Sequence, residues 1–264
     1  MANLFQFDKK RIAGTTPGVV GIDEAGRGCF AGPVVAGAVW TLRSFYENPT
    51  PVKRGKFIND SKQLSPETRE EVFALVEHWE RRGELFFAAG TASVREIDAL
   101  NILGATRLAA QRAIENLLEK LPPGTPCPFA TAGTDDAPLF CRERAFPLML
   151  ADGRPLSPFA WRHEALVKGD ATSLAVALAS IVAKVSRDRL MTSLDAEFPG
   201  YGFRAHKGYG TPEHVAAILS RGVTPLHRRK FLRNLAAAAP DGVPGLENLR
   251  AEEPDVPAQS EFPF

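Results

Sequence analysis

The sequence predicts an α/β fold, and three observations carry that reading. Short apolar runs rich in valine, isoleucine and alanine alternate with longer stretches whose apolar residues recur at three- and four-residue steps. Turn residues punctuate the boundaries between them. At 264 residues, with 44% hydrophobic and 24% charged side chains, the chain is long enough to bury a sizeable core.

The first run, GVVGIDE at 18–24, reads as a strand that ends in two acids. The small-residue turn AGRGCFAG (25–32) joins it to a second β-rich run at 33–42, in the manner of a hairpin with a glycine-rich connection. A polar loop follows, ending in NDSKQL. Ser65-Pro66-Glu67 then supplies an N-cap followed by proline at the first helical position, which predicts a helix to about Arg82, stopped by Gly83. Residues 84–91 read as a third strand, and 100–121 as a long helix with Leu100, Leu103, Leu108, Ile114, Leu117 and Leu118 mainly on one face. The proline-rich stretch 122–146 has no clear period and reads as an irregular insertion. PLMLADG (147–153) predicts a further strand that delivers an acid at its end. A helix from about Ser173 to Glu197 follows, then a Gly/Lys/Tyr loop at 199–211 and a helix opened by Thr211-Pro212-Glu213. The expected organisation is an N-terminal arm (1–17), a main domain (18–197), a helical C-terminal region (198–234) and an acidic, disordered tail (235–264).

Composition excludes several classes. No apolar run reaches the roughly 18 residues of a membrane span. Cys29, Cys127 and Cys141 are odd in number and lack CxxC spacing, which argues against a disulfide framework and a structural zinc site. Lys9, Lys10 and Arg11 interrupt the N-terminus before any apolar leader forms, so a cytoplasmic protein is expected. The net charge of +1 hides an uneven distribution. Residues 168–234 hold eleven basic side chains against five acidic ones, whereas 235–264 hold one against six. The former suits a phosphate-binding face and equally an ordinary soluble surface.

Asp23-Glu24, Asp152 and Asp170 stand at strand ends or strand-to-helix turns, where neighbouring strands would gather them at one edge. Carboxylates about 4 Å apart repel by roughly 4 kcal/mol, so such a cluster calls for cations or raised pKa values. Oxygen donors without histidine or cysteine select Mg²⁺ or Mn²⁺, and a pair of such ions can drive phosphodiester hydrolysis. Asp170 could also cap the helix that follows it. Gly26-Arg27-Gly28 fits neither a dinucleotide-binding turn nor a P-loop; it is either a plain hairpin connection or a bare backbone able to approach a ligand, with a guanidinium beside it. Tyr201 and Tyr209, flanked by glycines near His206 and Lys207, suit base or sugar stacking as well as loop packing. Lys184 and Asp188 are spaced for a helical ion pair. In the tail, Gln259 to Phe264 has the spacing of short peptides that dock on a bacterial sliding clamp.

In order along the chain, GIDEAGRGCFAGPVVAGAV (21–39), NDSKQLS (59–65), IDALNILGATRLA (97–109), ADGRP (151–155), KGDATSLAVALASIVAKVSRDRLM (168–191), FPGYGFRAHKGYGTPEH (198–214) and TPLHRRKF (224–231) resemble ribonuclease HII, the bacterial type 2 ribonuclease H. The resemblance implies an RNase H-like fold: a central mixed five-stranded sheet flanked by helices, with a small C-terminal helical region. It implies that Asp23, Glu24, Asp152 and Asp170 bind two Mg²⁺ or Mn²⁺ ions and are catalytic. It further implies that Gly26, Arg27 and Gly28 sense a 2′-hydroxyl and that Tyr209 packs beside the ribonucleotide; Lys184, His206 and Lys207 are expected to contact substrate. The implied enzyme is a monomer that cuts the RNA strand of RNA/DNA hybrids, and cuts duplex DNA on the 5′ side of a single embedded ribonucleotide. Three departures stand out: Cys29-Phe30 where the family commonly has Pro-Leu, Leu178 in the small-residue run, and the 122–146 stretch, which lacks a family counterpart. Two rivals remain, another RNase H-fold nuclease indifferent to the 2′-hydroxyl and a hybrid-binding protein without turnover.

Overall fold

The computed structural model describes residues 2–47, 64–121, 129, 146–239 and 242–246. The NDSKQ segment, most of the expected insertion, Cys127, Cys141 and the Gln259–Phe264 tail lie outside the described residues. Five strands form one sheet: β1 (Gly18–Ala25), β2 (Val34–Leu42), β3 (Leu85–Ala92), β4 (Leu148–Asp152) and β5 (Glu164–Leu166). Their spatial order is β3-β2-β1-β4-β5. The β1/β2 and β2/β3 pairs are antiparallel, and the β1/β4 and β4/β5 pairs are parallel. This is the mixed sheet that the resemblance implied.

β1 and β2 are covered on both faces, which is why they read as continuous apolar runs without alternation. On one side lie α1 (Ala2–Arg11), α2 (Arg43–Glu47), α3 (Pro66–Arg81) and the buried α5 (Leu174–Glu197); on the other lies α4 (Val94–Glu119). Close approach of α5 depends on Gly21, where a Cβ would stand 2.1 Å from the Ala175 carbonyl carbon. The predicted Ser65 cap is present, its side chain accepting from the Thr68 N–H, and Ser173 and Thr211 cap α5 and α7 in the same way, accepting from Val176 and His214. After α5 come α6 (Phe203–His206), α7 (Pro212–Arg221) and α8 (Arg233–Ala238).

The structure corrects several expectations. The long helix begins at Val94 instead of 100, behind a capping box in which Ser93 and Glu96 satisfy each other's backbone N–H. It is broken at Asn101 (φ 57°, ψ 176°), whose side chain accepts from the N–H groups of Leu103 and Gly104 at 2.9 and 3.1 Å. The break shifts the helical phase, so Leu100 and Leu103 face solvent, 45% and 58% exposed. The expected arm is helical and delivers Leu4, Phe5 and Asp8 into the interior. Beyond Asn234, Ala236, Ala239, Val243 and Leu246 close a small core with Ile218 and Leu232. Among the described residues, no helix is long and apolar enough to cross a membrane.

Candidate active site

The parallel pairing of β1 with β4 ends at Ile22 and Ala151, and one step further along each strand Asp23 and Asp152 stand side by side at the same end of the sheet. That end is where β1 has an antiparallel neighbour on one side and a parallel one on the other, a position where α/β sheets open crevices. A cavity of about 320 Å³ lies there, lined by Asp23, Glu24, Gly26, Arg27, Asp152, Ser180, Lys184 and Tyr209 among others.

Asp23 is buried, and burial pushes its carboxyl well above the ordinary range; the neighbouring Glu24 and Asp152 carboxylates push it further. The Ser180 hydroxyl and the Glu24 N–H, which donates to Asp23 Oδ1 at 2.7 Å, pull in the opposite direction. Arg27 Nη1 donates to Glu24 Oε1 at 2.8 Å, tying the glycine loop to the acidic strand. Asp152 Oδ1 accepts from the Gly169 N–H at 2.6 Å, which brings the adjoining Asp170 turn against β4. Asp170 is buried there, in the short 3-10 turn Gly169–Ala171, and α5 takes its cap from Ser173 instead. The structure thus gathers Asp23, Glu24 and Asp152 around the cavity, with Asp170 buried in the adjoining turn and not among the lining residues. Among the described residues, no group of three or more histidine, cysteine or acidic side chains is already drawn together as a metal cage. The donor set nonetheless fits divalent cations: it consists of hard carboxylate oxygens, and the mutual repulsion that raises Asp23 is what a cation would relieve.

Next to it runs a groove of about 550 Å³ between α3, α5 and the loop after α6, lined by Arg69, Lys184, Arg189, Lys207, His206 and Tyr209 among others. Tyr209 and Lys184 border both spaces. The Tyr209 ring is 40% exposed, with Lys184 Nζ and Arg187 Cζ at 5.5 and 5.8 Å from its centroid. Tyr201, by contrast, is buried and donates to the Gly222 carbonyl at 3.0 Å, so it is the packing tyrosine of the two. Lys184 Nζ pairs with Asp188 at 2.7 Å, and Lys207 Nζ donates to Thr192 at 2.7 Å. His206 spends both ring nitrogens inside the loop, on the Tyr201 carbonyl and the Gly208 N–H.

Two arginines counted in the basic segment prove to be interior. Arg187 donates to the carbonyls of Pro33, Ala31 and Lys207 at 3.0, 3.1 and 2.8 Å, joining the glycine loop to the tyrosine loop. Arg228 donates to the Gly32 and Arg27 carbonyls at 2.9 and 2.8 Å. The basic segment suited a phosphate-binding face or an ordinary soluble surface; these two guanidiniums, buried and bonded to backbone carbonyls, are a framework instead. Gly26 (φ +92°) is required by this frame, since a Cβ there would stand 2.0 Å from Arg187 Nε. Sequence reasoning missed both framework roles, because arginines of a surface and of an interior read alike.

Known proteins resemble this chain over most of its length. A family model described as ribonuclease HII matches residues 20–122 and 157–234. A ribonuclease HII of Syntrophotalea carbinolica is 41% identical over 213 residues, covering 81% of this chain and 84% of that one. Among solved structures, the ribonuclease H2 of Pyrococcus horikoshii superposes with a TM-score of 0.59 at 22% identity, over 89% of this chain and 99% of the other. The PCNA:RNase HII complex of Archaeoglobus fulgidus gives 0.50 at 25%, over 80% and 93%. A Bst-RNase HIII structure in complex with Mn²⁺ gives 0.54 at 19%, over 83% and 68%.

Proposed function

The chain belongs to the ribonuclease HII family, endonucleases that cleave RNA in RNA/DNA hybrids, and from this premise we propose that it also cuts duplex DNA on the 5′ side of a single embedded ribonucleotide. The observation that carries the reading is the shared border: the acidic cavity and the basic groove meet at Tyr209 and Lys184. A phosphodiester held at the acids leaves the adjacent sugar beside Gly26-Arg27-Gly28 and the next nucleotide against the Tyr209 ring. The 2′-hydroxyl is the one group that separates a ribonucleotide from its neighbours, and backbone groups of the glycine loop are suited to bond it.

Asp23, Glu24, Asp152 and Asp170 would hold two Mg²⁺ or Mn²⁺ ions. Bound there, such ions supply Lewis-acid activation of water and neutralise charge on the leaving 3′ oxygen, giving 3′-hydroxyl and 5′-phosphate ends. The protein's own part is to orient: Arg27 braces Glu24, Gly169 braces Asp152, and Lys184 and Lys207 stand where backbone phosphates pass. The enzyme would work as a cytoplasmic monomer.

The test is a duplex carrying one ribonucleotide, incubated with the wild type in Mg²⁺, the wild type with EDTA, and Asp23→Asn. Cleavage in the first alone is expected; turnover by Asp23→Asn equal to the wild type would refute the assignment. The Archaeoglobus complex with PCNA favours a second element, the docking of Gln259 to Phe264 on a sliding clamp. Deleting residues 259–264 should abolish clamp binding in a pull-down with purified clamp, and undiminished binding dismisses it.

A further inference from the structure

The loop that carries Tyr209 is fixed from beneath by three histidines, and hydrogen-bond chemistry leaves one proton arrangement open to them. Thr224 donates its backbone N–H to His227 Nδ1 at 2.9 Å, and its hydroxyl, which accepts from the Leu226 N–H and can turn its own proton to the ring, lies 2.9 Å from the same nitrogen, so Nδ1 is the bare one and the proton sits on Nε2. His227 Nε2 lies 3.2 Å from His214 Nε2, and must be the donor of that pair. His214 Nε2 is therefore the acceptor, and its proton sits on Nδ1, 2.9 Å from the Tyr209 carbonyl oxygen, which can only accept. His206 is fixed in the same way: Nε2 donates to the Tyr201 carbonyl at 2.7 Å, and Nδ1 accepts from Gly208 at 3.2 Å. His206 and His214 stack with centroids 4.3 Å apart. His214 and His227 are buried, and a second proton on either would set donor against donor.

We propose that His214 and His227 are positioning residues for recognition of a lone ribonucleotide: the one-way chain Thr224 to His227 to His214 to the Tyr209 carbonyl fixes the height and tilt of the Tyr209 ring. The opposite side of this loop supports the same role. The Phe30 and Ala31 N–H groups donate to the Gly208 carbonyl at 2.8 and 3.2 Å, so the histidines hold the tyrosine loop against the glycine loop. The spacing between 2′-hydroxyl sensor and stacking ring is thereby set by the ring tautomers. Continuous hybrids offer a 2′-hydroxyl at every step and tolerate a looser ring; a lone ribonucleotide gives one chance of registration.

The inference rests on the proposed role of Tyr209, and the experiment separates the two. The readout is the ratio of cleavage at a single-ribonucleotide duplex to cleavage of a continuous hybrid, for the wild type, Tyr209→Ala, His214→Asn and His214→Gln. Asparagine places an amide N–H where Nδ1 stands and keeps the bond to the Tyr209 carbonyl; glutamine reaches the Nε2 position and loses it. His214→Gln should lower the ratio about tenfold, the weight of one lost hydrogen bond, whereas His214→Asn should stay within about threefold of the wild type. Hybrid cleavage serves as the folding control, and ¹⁵N NMR of the wild-type imidazoles should find His214 protonated at Nδ1 and His227 at Nε2. Equal ratios for the two His214 variants, with Tyr209→Ala still lowering the ratio, overturn the inference alone, as does the opposite tautomer pair. A ratio indifferent to Tyr209→Ala overturns the reading beneath it and the inference with it.

Discussion

Asp8 shows how much a single side chain can be asked to bear. It is buried, accepts from the Tyr46 hydroxyl and the Ala175 N–H at 2.9 Å each, and leaves Oδ1 without a partner. Burial pushes its carboxyl up from 3.8 to about 6, against the pull of those bonds. A raised acid binds its proton more tightly in the fold than in the unfolded chain. Its favourable contribution is therefore complete below about 3.8 and lost as pH rises through about 6. Asp8→Asn, which keeps an acceptor and never ionises, should gain on the wild type by roughly 2 kcal/mol between pH 4 and pH 7. Urea unfolding at the two pH values measures this, and a difference that stays constant with pH would exclude Asp8 ionisation as its origin. The same logic runs in the opposite sense for His214 and His227, which burial holds down at about 4.

Elements meet at distances that glycine sets. Gly21→Ala would drive a methyl into the Ala175 backbone, where no side chain can swing aside, so a loss of about 2 to 3 kcal/mol is expected in thermal unfolding. Four of the strands and the starts of α3, α5 and α7 were legible because their signals are local: apolar runs for β1 to β4, and a serine or threonine followed by proline for α3 and α7. β5 was not, since three residues with exposed or half-exposed side chains carry no pattern; it exists by pairing with β4 and by the Arg11–Glu164 ion pair. The Asn101 break escaped for a related reason, because a residue in a strained backbone conformation leaves the sequence period around it intact. Asp23, Glu24 and Asp152 were readable as acids at strand ends. The histidine chain was not, because it joins residues from three separate segments.

Across the whole molecule, charge is sorted into an exposed set that meets solvent and a buried set that meets backbone. Arg189, with a half-exposed side chain paired to Glu70 at 2.6 Å, borders the groove, whereas Arg228 is fully buried. Binding of duplex should weaken as salt rises, with a log–log slope of about −0.9 for each phosphate contact. Arg189→Ala should shrink that slope by about one contact, measured by fluorescence anisotropy across a salt series. Arg228→Met should leave the slope unchanged and lower the melting temperature, and a smaller slope would make Arg228 a phosphate ligand after all.

The bond from Arg228 to the Arg27 carbonyl joins residues 201 positions apart. While the ribosome is still adding the C-terminal helices, the acidic strand is already outside and free to fold, yet the brace behind its glycine loop has not been made. A chain that stops short of Arg228 therefore carries every acid of the site without this brace behind its glycine loop.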